Sequence, residues 1–156
     1  MCNSTDSGTW RDLTTSERKQ IVATLQEQGL RLTPQRQAVC EAIFGCPGHI
    51  CAEHILEAVS VRHPDLRMNK TTVYRALDLL LELGLVLEHK CGDGRAQYEP
   101  ASRGRHSHLM CRRCGELLDI DEGLATTLRE ELRSRHGFRV ELESYPLFGL
   151  CASCSN

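Results

Sequence analysis

An α+β chain built as two small modules is what this sequence predicts, and three observations carry the prediction. Four helix-period apolar patterns follow one another through the first half, and the period then switches to alternation over residues 85–99. Pro100-Ala-Ser-Arg-Gly104 interrupts the chain as a turn-rich break. Two C-x-x-C pairs, Cys111-Arg-Arg-Cys114 and Cys151-Ala-Ser-Cys154, bracket the last third. With 156 residues in all, neither module can bury a large core, which makes a metal staple in the smaller one physically sensible. The expected boundaries are 1–99 for the first module, 100–105 for a hinge and 106–156 for the second.

Residues 1–13 are polar and expected to be loose. Thr15-Ser16-Glu17 starts a helix running to about Gly29, with Ile21, Val22 and Leu25 on one side. Thr33 caps a second helix that has Pro34 at its first position, and Gly45-Cys46-Pro47-Gly48 ends it. A third spans roughly Ala52 to Arg62 and stops before His63-Pro64. Asn69 or Thr71 caps a fourth through Leu83, which Gly84 terminates. Leu85, Leu87 and His89 then alternate with Val86, Glu88 and Lys90, the turn Cys91-Gly-Asp-Gly94 follows, and Ala96 to Glu99 returns as the second arm of a β-hairpin. Three helices, a fourth and a hairpin form the order of a winged helix-turn-helix, with Asn69–Leu83 as the recognition helix. The second module reads as strand (His106–Met110), cysteine knuckle, strand (Glu116–Ile120), helix (Glu122–His136), strand (Phe138–Leu147) and second knuckle.

Nine cysteines are heavy usage for this length. Met1 opens into polar residues without an apolar signal core, and Leu77–Leu87 is too short and too charged to span a bilayer. The expectation is a reducing cytoplasm with no membrane partner, where paired cysteines hold metal more often than disulfide. The net charge of −2 carries no global nucleic-acid signal. Basic residues such as Arg31, Arg36, Arg62, Lys70 and Arg75 nevertheless fall in the first half and acids concentrate in the last third, which suits a DNA-facing half or merely a solvated face.

Each C-x-x-C places two thiolates on one tight turn, so Cys111, Cys114, Cys151 and Cys154 can close a tetrahedral zinc site with no position left for water. The competing reading is a pair of redox-active dithiols, for which a thioredoxin-like context is missing. His106-Ser-His108 adds two imidazoles on one face of an extended strand, the start of a second, open metal site.

Taken together, Gly29-Leu-Arg-Leu-Thr-Pro-Gln-Arg36, His49-Ile-Cys-Ala-Glu53, Thr71-Thr-Val-Tyr-Arg75, Gln97-Tyr-Glu99, the His106–Gly115 segment and the final C-x-x-C resemble the ferric uptake regulator family of metal-dependent transcription factors. These segments span almost the whole chain in family order. The resemblance implies an N-terminal winged helix, a C-terminal α/β dimerisation domain, and a homodimer that binds double-stranded operator DNA when metal-loaded. It implies a structural Zn²⁺ at the four cysteines and a second divalent ion at a regulatory site of His49, Glu99, His106 and His108. Imidazoles and a carboxylate suit Fe²⁺, Zn²⁺, Mn²⁺ or Co²⁺. Asp119 matches an acid that joins this site in relatives, or is a plain surface acid; if it joins, five or six ligands favour iron or manganese. Cys51 or Cys91 offers a softer replacement ligand. Many members build a further site at positions that here hold Arg105, Ser107, Thr126 and Glu143, so that site is expected to be absent. Cys40 is expected to be a buried helix thiol, Cys2 a free thiol in the tail, and His54, His63, His89 and His136 surface or packing residues.

For DNA, Thr71, Thr72, Tyr74 and Arg75 sit at the start of the recognition helix, where side chains reach the major groove. The resemblance assigns Tyr74 to thymine or phosphate, Arg75 mainly to the backbone and Arg31 to a narrow minor groove, with Arg36 grouped beside it. A helix-packing aromatic is the alternative for Tyr74. The function implied is a metal-responsive regulator, a repressor of iron or zinc homeostasis genes. A peroxide- or redox-sensing regulator shares the same fold. A metal-dependent hydrolase would need a substrate cleft, and no H-E-x-x-H, G-x-S-x-G or phosphate-cradling loop is present, so no enzyme is expected.

Overall fold

The computed structural model describes residues 10–90, 96–104, 106–143 and 145–155. They divide into two compact units: residues 10–90 with 96–102, and the described residues from 103 onward.

The first unit runs α1 (Thr15–Glu27), α2 (Pro34–Gly45), β1 (Ile50–Cys51), α3 (Ala52–Arg62), α4 (Lys70–Glu82), β2 (Val86–Lys90) and β3 (Ala96–Pro100). Local chemistry sets each boundary. Thr14 and Glu17 make a reciprocal capping box at α1, with Glu17 N–H donating to Thr14 Oγ1 and Thr14 N–H to Glu17 Oε2. Its far end closes on Gly29 at φ 67°, where the Leu30 and Gly29 amides reach back to the Leu25 and Gln26 carbonyls. Gly84 does the same for α4, so both glycines occupy the left-handed position that a side chain would strain. Helix α1 therefore stops at Glu27, two residues before the expected Gly29.

Ile21, Leu25, Val39, Ile43, Ile55, Val59, Val73, Leu77 and Leu80 fuse the four helices into one core. Each such side chain contributes about 1.5–3 kcal/mol by leaving water. The sheet order is β1-β3-β2, antiparallel throughout. Strand β1 is too short to leave an alternating pattern, and the sequence reading lacked it. Residues Arg11–Leu13, read as part of the loose tail, are tied down. The Arg11 amide donates to the Gly45 carbonyl at 3.2 Å, and Arg62 pairs with Asp12 at 2.6 Å. The hairpin turn at 91–94 lies outside the described residues. Where the hinge was expected, Pro100 still pairs with Val86, and Ala101–Arg103 make one 3₁₀ turn.

The second unit contains β4 (His108–Cys111), β5 (Leu117–Asp119), α5 (Glu122–His136) and β6 (Leu147–Gly149). β4 is the central strand, antiparallel to β5 and parallel to β6. Asp121 caps α5 by accepting from the Gly123 and Leu124 amides. The strand expected over Phe138–Leu147 is a correction: among the described residues only Leu147–Gly149 are extended and paired. Alternation holds over part of it: Val140 and Leu142 pack with Ile120, Ala125 and Leu128 while Arg139 and Glu141 are exposed, but Phe138, on the same parity as Val140, is exposed too. A strand also needs a ladder partner, and in the described chain only the last three residues meet one. Among the described residues no helix is long and apolar enough to cross a membrane.

Candidate metal centres and nucleic-acid interface

The parallel β4–β6 register sets Cys111 opposite Gly149, which delivers the second knuckle to the first. Gly115, at φ 75°, turns the first knuckle so that its amide donates to the Cys111 carbonyl, and the Ser155 amide repeats this on Cys151. The four sulfurs of Cys111, Cys114, Cys151 and Cys154 lie within 4.8 Å of one another. A tetrahedron with Zn–S bonds of 2.3 Å needs sulfurs about 3.8 Å apart, and the Cys114 and Cys151 sulfurs are 3.7 Å apart. The donor set and its spacing fit zinc. Amides of Cys151 and Cys114 donating to the Cys111 sulfur hold that thiol down to about 6. Hydrogen bonding to Glu116, then burial, pushes Cys151 up, and burial raises Cys154. One thiolate is accommodated while its neighbours resist ionising; a bound dication removes that conflict.

In the same unit, antiparallel pairing sets His108 directly across from Asp119. His106 Nε2 lies 3.1 Å from Asp119 Oδ1 and 3.0 Å from His108 Nε2, and His108 Nε2 lies 3.7 Å from the same carboxylate. His106 Nδ1 faces the Gly104 carbonyl at 3.1 Å, an outer contact that orients the ring. Asp119 is thus gathered with both imidazoles rather than standing as an isolated surface acid.

The first unit holds the other residues singled out for the regulatory site. Continuing the β1–β3 register by one residue beyond Ile50 sets His49 beside Glu99. His49 Nε2 is 3.6 Å from Glu99 Oε2, with both side chains almost fully buried at 2% and 1% exposure. His89, expected as a surface or packing residue, lies beside this pair. Its Nε2 lies 2.7 Å from Glu99 Oε1, and its ring stands edge-on to His49 at 5.2 Å. The signal was in the hairpin register: Leu87 pairs with Glu99 and His89 with Gln97, so His89 and Glu99 are diagonal neighbours on one face. Among the described residues, Cys51 is not gathered with these donors. Cys91, Cys2 and Arg105 lie outside them. Cys40 is a buried helix thiol pushed up to about 12 by desolvation.

Helix α4 begins on Asn69, whose Oδ1 accepts from the Thr72 amide at 2.9 Å. Val73, Ala76, Leu77 and Leu80 turn into the core, and this leaves Thr71, Tyr74 and Arg75 exposed and Thr72 half-buried on the opposite face. Tyr74 is 43% exposed, which sets it apart from a packing aromatic. Arg31 is exposed; Arg36 donates to the Arg31 carbonyl at 2.7 Å and so braces the loop that carries it.

The sequence model of the ferric uptake regulator family matches residues 27–145. The chain is 31% identical over 139 residues to the peroxide operon regulator of Bacillus subtilis, covering 89% of this chain and 94% of that protein. The structure of the Helicobacter pylori ferric uptake regulator, described as revealing three functional metal-binding sites, superposes with a TM-score of 0.72 at 21% identity. That match covers 94% of this chain and 97% of that one, a likeness of fold. A zinc uptake regulator complexed with zinc and DNA gives a TM-score of 0.53 at 29% identity, covering 92% of this chain and 97% of that one. The chain belongs to the ferric uptake regulator family.

Proposed function

We propose that this chain is a cytoplasmic metal-responsive transcriptional regulator whose homodimer binds operator DNA when a divalent ion joins the two units, with no catalytic activity of its own. One observation carries the reading: each unit presents its own imidazole–carboxylate cluster, His49 with Glu99 in one and His106 with His108 and Asp119 in the other. An ion taking ligands from both limits the angles at which the reading head is held across residues 100–105. Three imidazoles and two carboxylates supply five or six donors, which favours Fe²⁺ or Mn²⁺ over tetrahedral Zn²⁺. The four cysteines hold a separate structural Zn²⁺. Coupling of this kind amounts to about 1–3 kcal/mol, or roughly 5–150-fold in DNA affinity.

DNA contact is supported by the solvent-facing Thr71, Tyr74 and Arg75 on α4, with Thr72 at its start and Arg31 and Arg36 at the preceding loop, and by the zinc- and DNA-bound relative. Homodimerisation is supported by the second unit's sheet. Leu109 pairs with Leu118 on one side and Leu147 on the other, so three leucines line one exposed sheet face. The test is binding to a duplex selected from random sequence, titrated separately with Fe²⁺, Zn²⁺ and Mn²⁺ after the structural zinc is in place. At least one ion should tighten binding fivefold or more; equal affinity with and without every ion contradicts the reading.

A second reading, peroxide sensing, is favoured by the likeness to a peroxide operon regulator. Fe²⁺ at the same residues would reduce peroxide and oxidise a neighbouring imidazole. Mass spectrometry after low peroxide separates the two: one added oxygen on His49 or His106 supports sensing, and unmodified peptides with DNA binding intact oppose it.

A further inference from the structure

We propose that His89 is itself a metal ligand, and that His49, His89 and Glu99 form a cation site complete within the first unit, which takes up the ion before His106 and His108 engage it. The inference rests on the regulatory reading above and deepens it. That reading places one imidazole and one carboxylate in the winged-helix unit; the structure supplies a second imidazole there.

The geometry is that of a first-row dication site. One ring nitrogen each of His49 and His89 and a carboxylate oxygen of Glu99 lie within 4.8 Å of one another. Ions of this class bind nitrogen and oxygen at about 2.0–2.2 Å, which sets adjacent donors about 3.0–3.5 Å apart in octahedral or tetrahedral arrangement. The two measured separations to Glu99, 2.7 Å for His89 and 3.6 Å for His49, bracket that range. Two imidazoles and one carboxylate with the remaining positions open form the donor set that suits Fe²⁺ and its neighbours. Burial differs in a useful way: His49 and Glu99 are 2% and 1% exposed, whereas the His89 side chain is 24% exposed. His89 is therefore the donor at the solvent-facing edge of the cluster.

The order of events follows. Glu99 lies on β3 with the β1 end on one side and β2 on the other, so all three donors ride on one small antiparallel sheet. Strand register, continued one residue beyond Ile50, brings all three to one face of that sheet. Capture thus occurs on a preformed face. Closure occurs when His106 and His108 fill open positions, either alongside His89 or in place of it.

The alternative role for His89 is positioning: its Nε2–H would donate to Glu99 and orient a carboxylate that binds metal without it. Co²⁺ distinguishes these roles. The full chain carrying His106→Ala and His108→Ala, with zinc at its four cysteines, is titrated with Co²⁺ and followed by its visible d–d absorption. One further Co²⁺ should bind, without a thiolate-to-cobalt band. Adding His89→Ala should weaken that binding at least tenfold, and so should His89→Gln, which keeps a hydrogen-bond donor but loses the imidazole. Zinc content and helical circular dichroism must match the parent, to show that each variant folds. The proposal is overturned if the double variant binds no further Co²⁺, if removing His89 changes nothing, or if His89→Gln binds as tightly as His89. Duplex binding by the same double variant keeps the two ideas apart. Loss of both Co²⁺ and metal-dependent DNA binding overturns only the first-unit site; metal-dependent DNA binding that persists overturns the regulatory reading.

Discussion

At the scale of single residues, charge and register explain more than residue type. Glu17 is held down to about 2, first by its hydrogen bond to the Arg11 guanidinium and then, against the cost of burial, by the Thr14 amide and hydroxyl. Its folded pKa lies below the unfolded value near 4.3. The stabilisation is therefore present above pH 4.3 and is lost as pH falls through 2. Arg11 is half exposed, so solvent screening trims the contribution. Glu17→Gln keeps a capping-box acceptor but loses the charge that faces Arg11, and should cost about 0.5–1 kcal/mol at pH 7. Urea melts at pH 7 and near pH 2 check this: the gap between native and variant should shrink at the lower pH. Ligand residues are legible at this scale only where their chemistry is local. The C-x-x-C pairs and the H-x-H announce themselves by spacing. His89, proposed here as a ligand, does not, because its neighbour Glu99 comes ten residues later on the facing strand.

Elements were legible where both ends carry their own signal. Helices α2, α3 and α5 were bounded correctly, since Thr33 with Pro34, His63-Pro64, and Asp121 with Gly137 are chemical stops. Strands were harder, because a strand exists only when a neighbour completes its hydrogen bonds. Hence β1 leaves no sequence signal, and of the strand expected over Phe138–Leu147 only Leu147 is paired, in a strand that runs on to Gly149. One close approach was hidden altogether. A Cβ added at Gly45 would meet the Arg11 carbonyl oxygen at 2.4 Å, so the last residue of α2 is glycine because the incoming chain lies on it. Backbone cannot yield as a flexible side chain does. Gly45→Ala should destabilise the chain by about 1–3 kcal/mol, the usual range for overpacking. Thermal melting checks it; an unchanged or raised melting temperature would mean that the Arg11 segment moves aside without cost.

At the scale of the molecule, the two units divide the work by chemistry. The first owes its stability to an apolar core that unites four helices. The second has only small apolar clusters, around Met110 and around Ile120, and on the proposed reading it is completed by zinc at its cysteines and by a second copy. Leu109, Leu118 and Leu147 form the row that a second copy would cover. Leu109→Glu places a carboxylate in that row and should convert the dimer to monomer in sedimentation experiments, while zinc content stays unchanged. The residues proposed for the regulatory site are legible in the sequence on both sides of residues 100–105, yet their neighbours within each unit are visible only once register is known.

The central claim is that an ion shared by the two units switches DNA binding. Its most direct test is duplex affinity of the chain carrying His106→Ala and His108→Ala, measured with and without the activating ion while zinc is assayed in parallel. The account predicts zinc retained at Cys111, Cys114, Cys151 and Cys154, and DNA affinity that no longer changes when the ion is added. Retained zinc together with an undiminished response to the ion would contradict it.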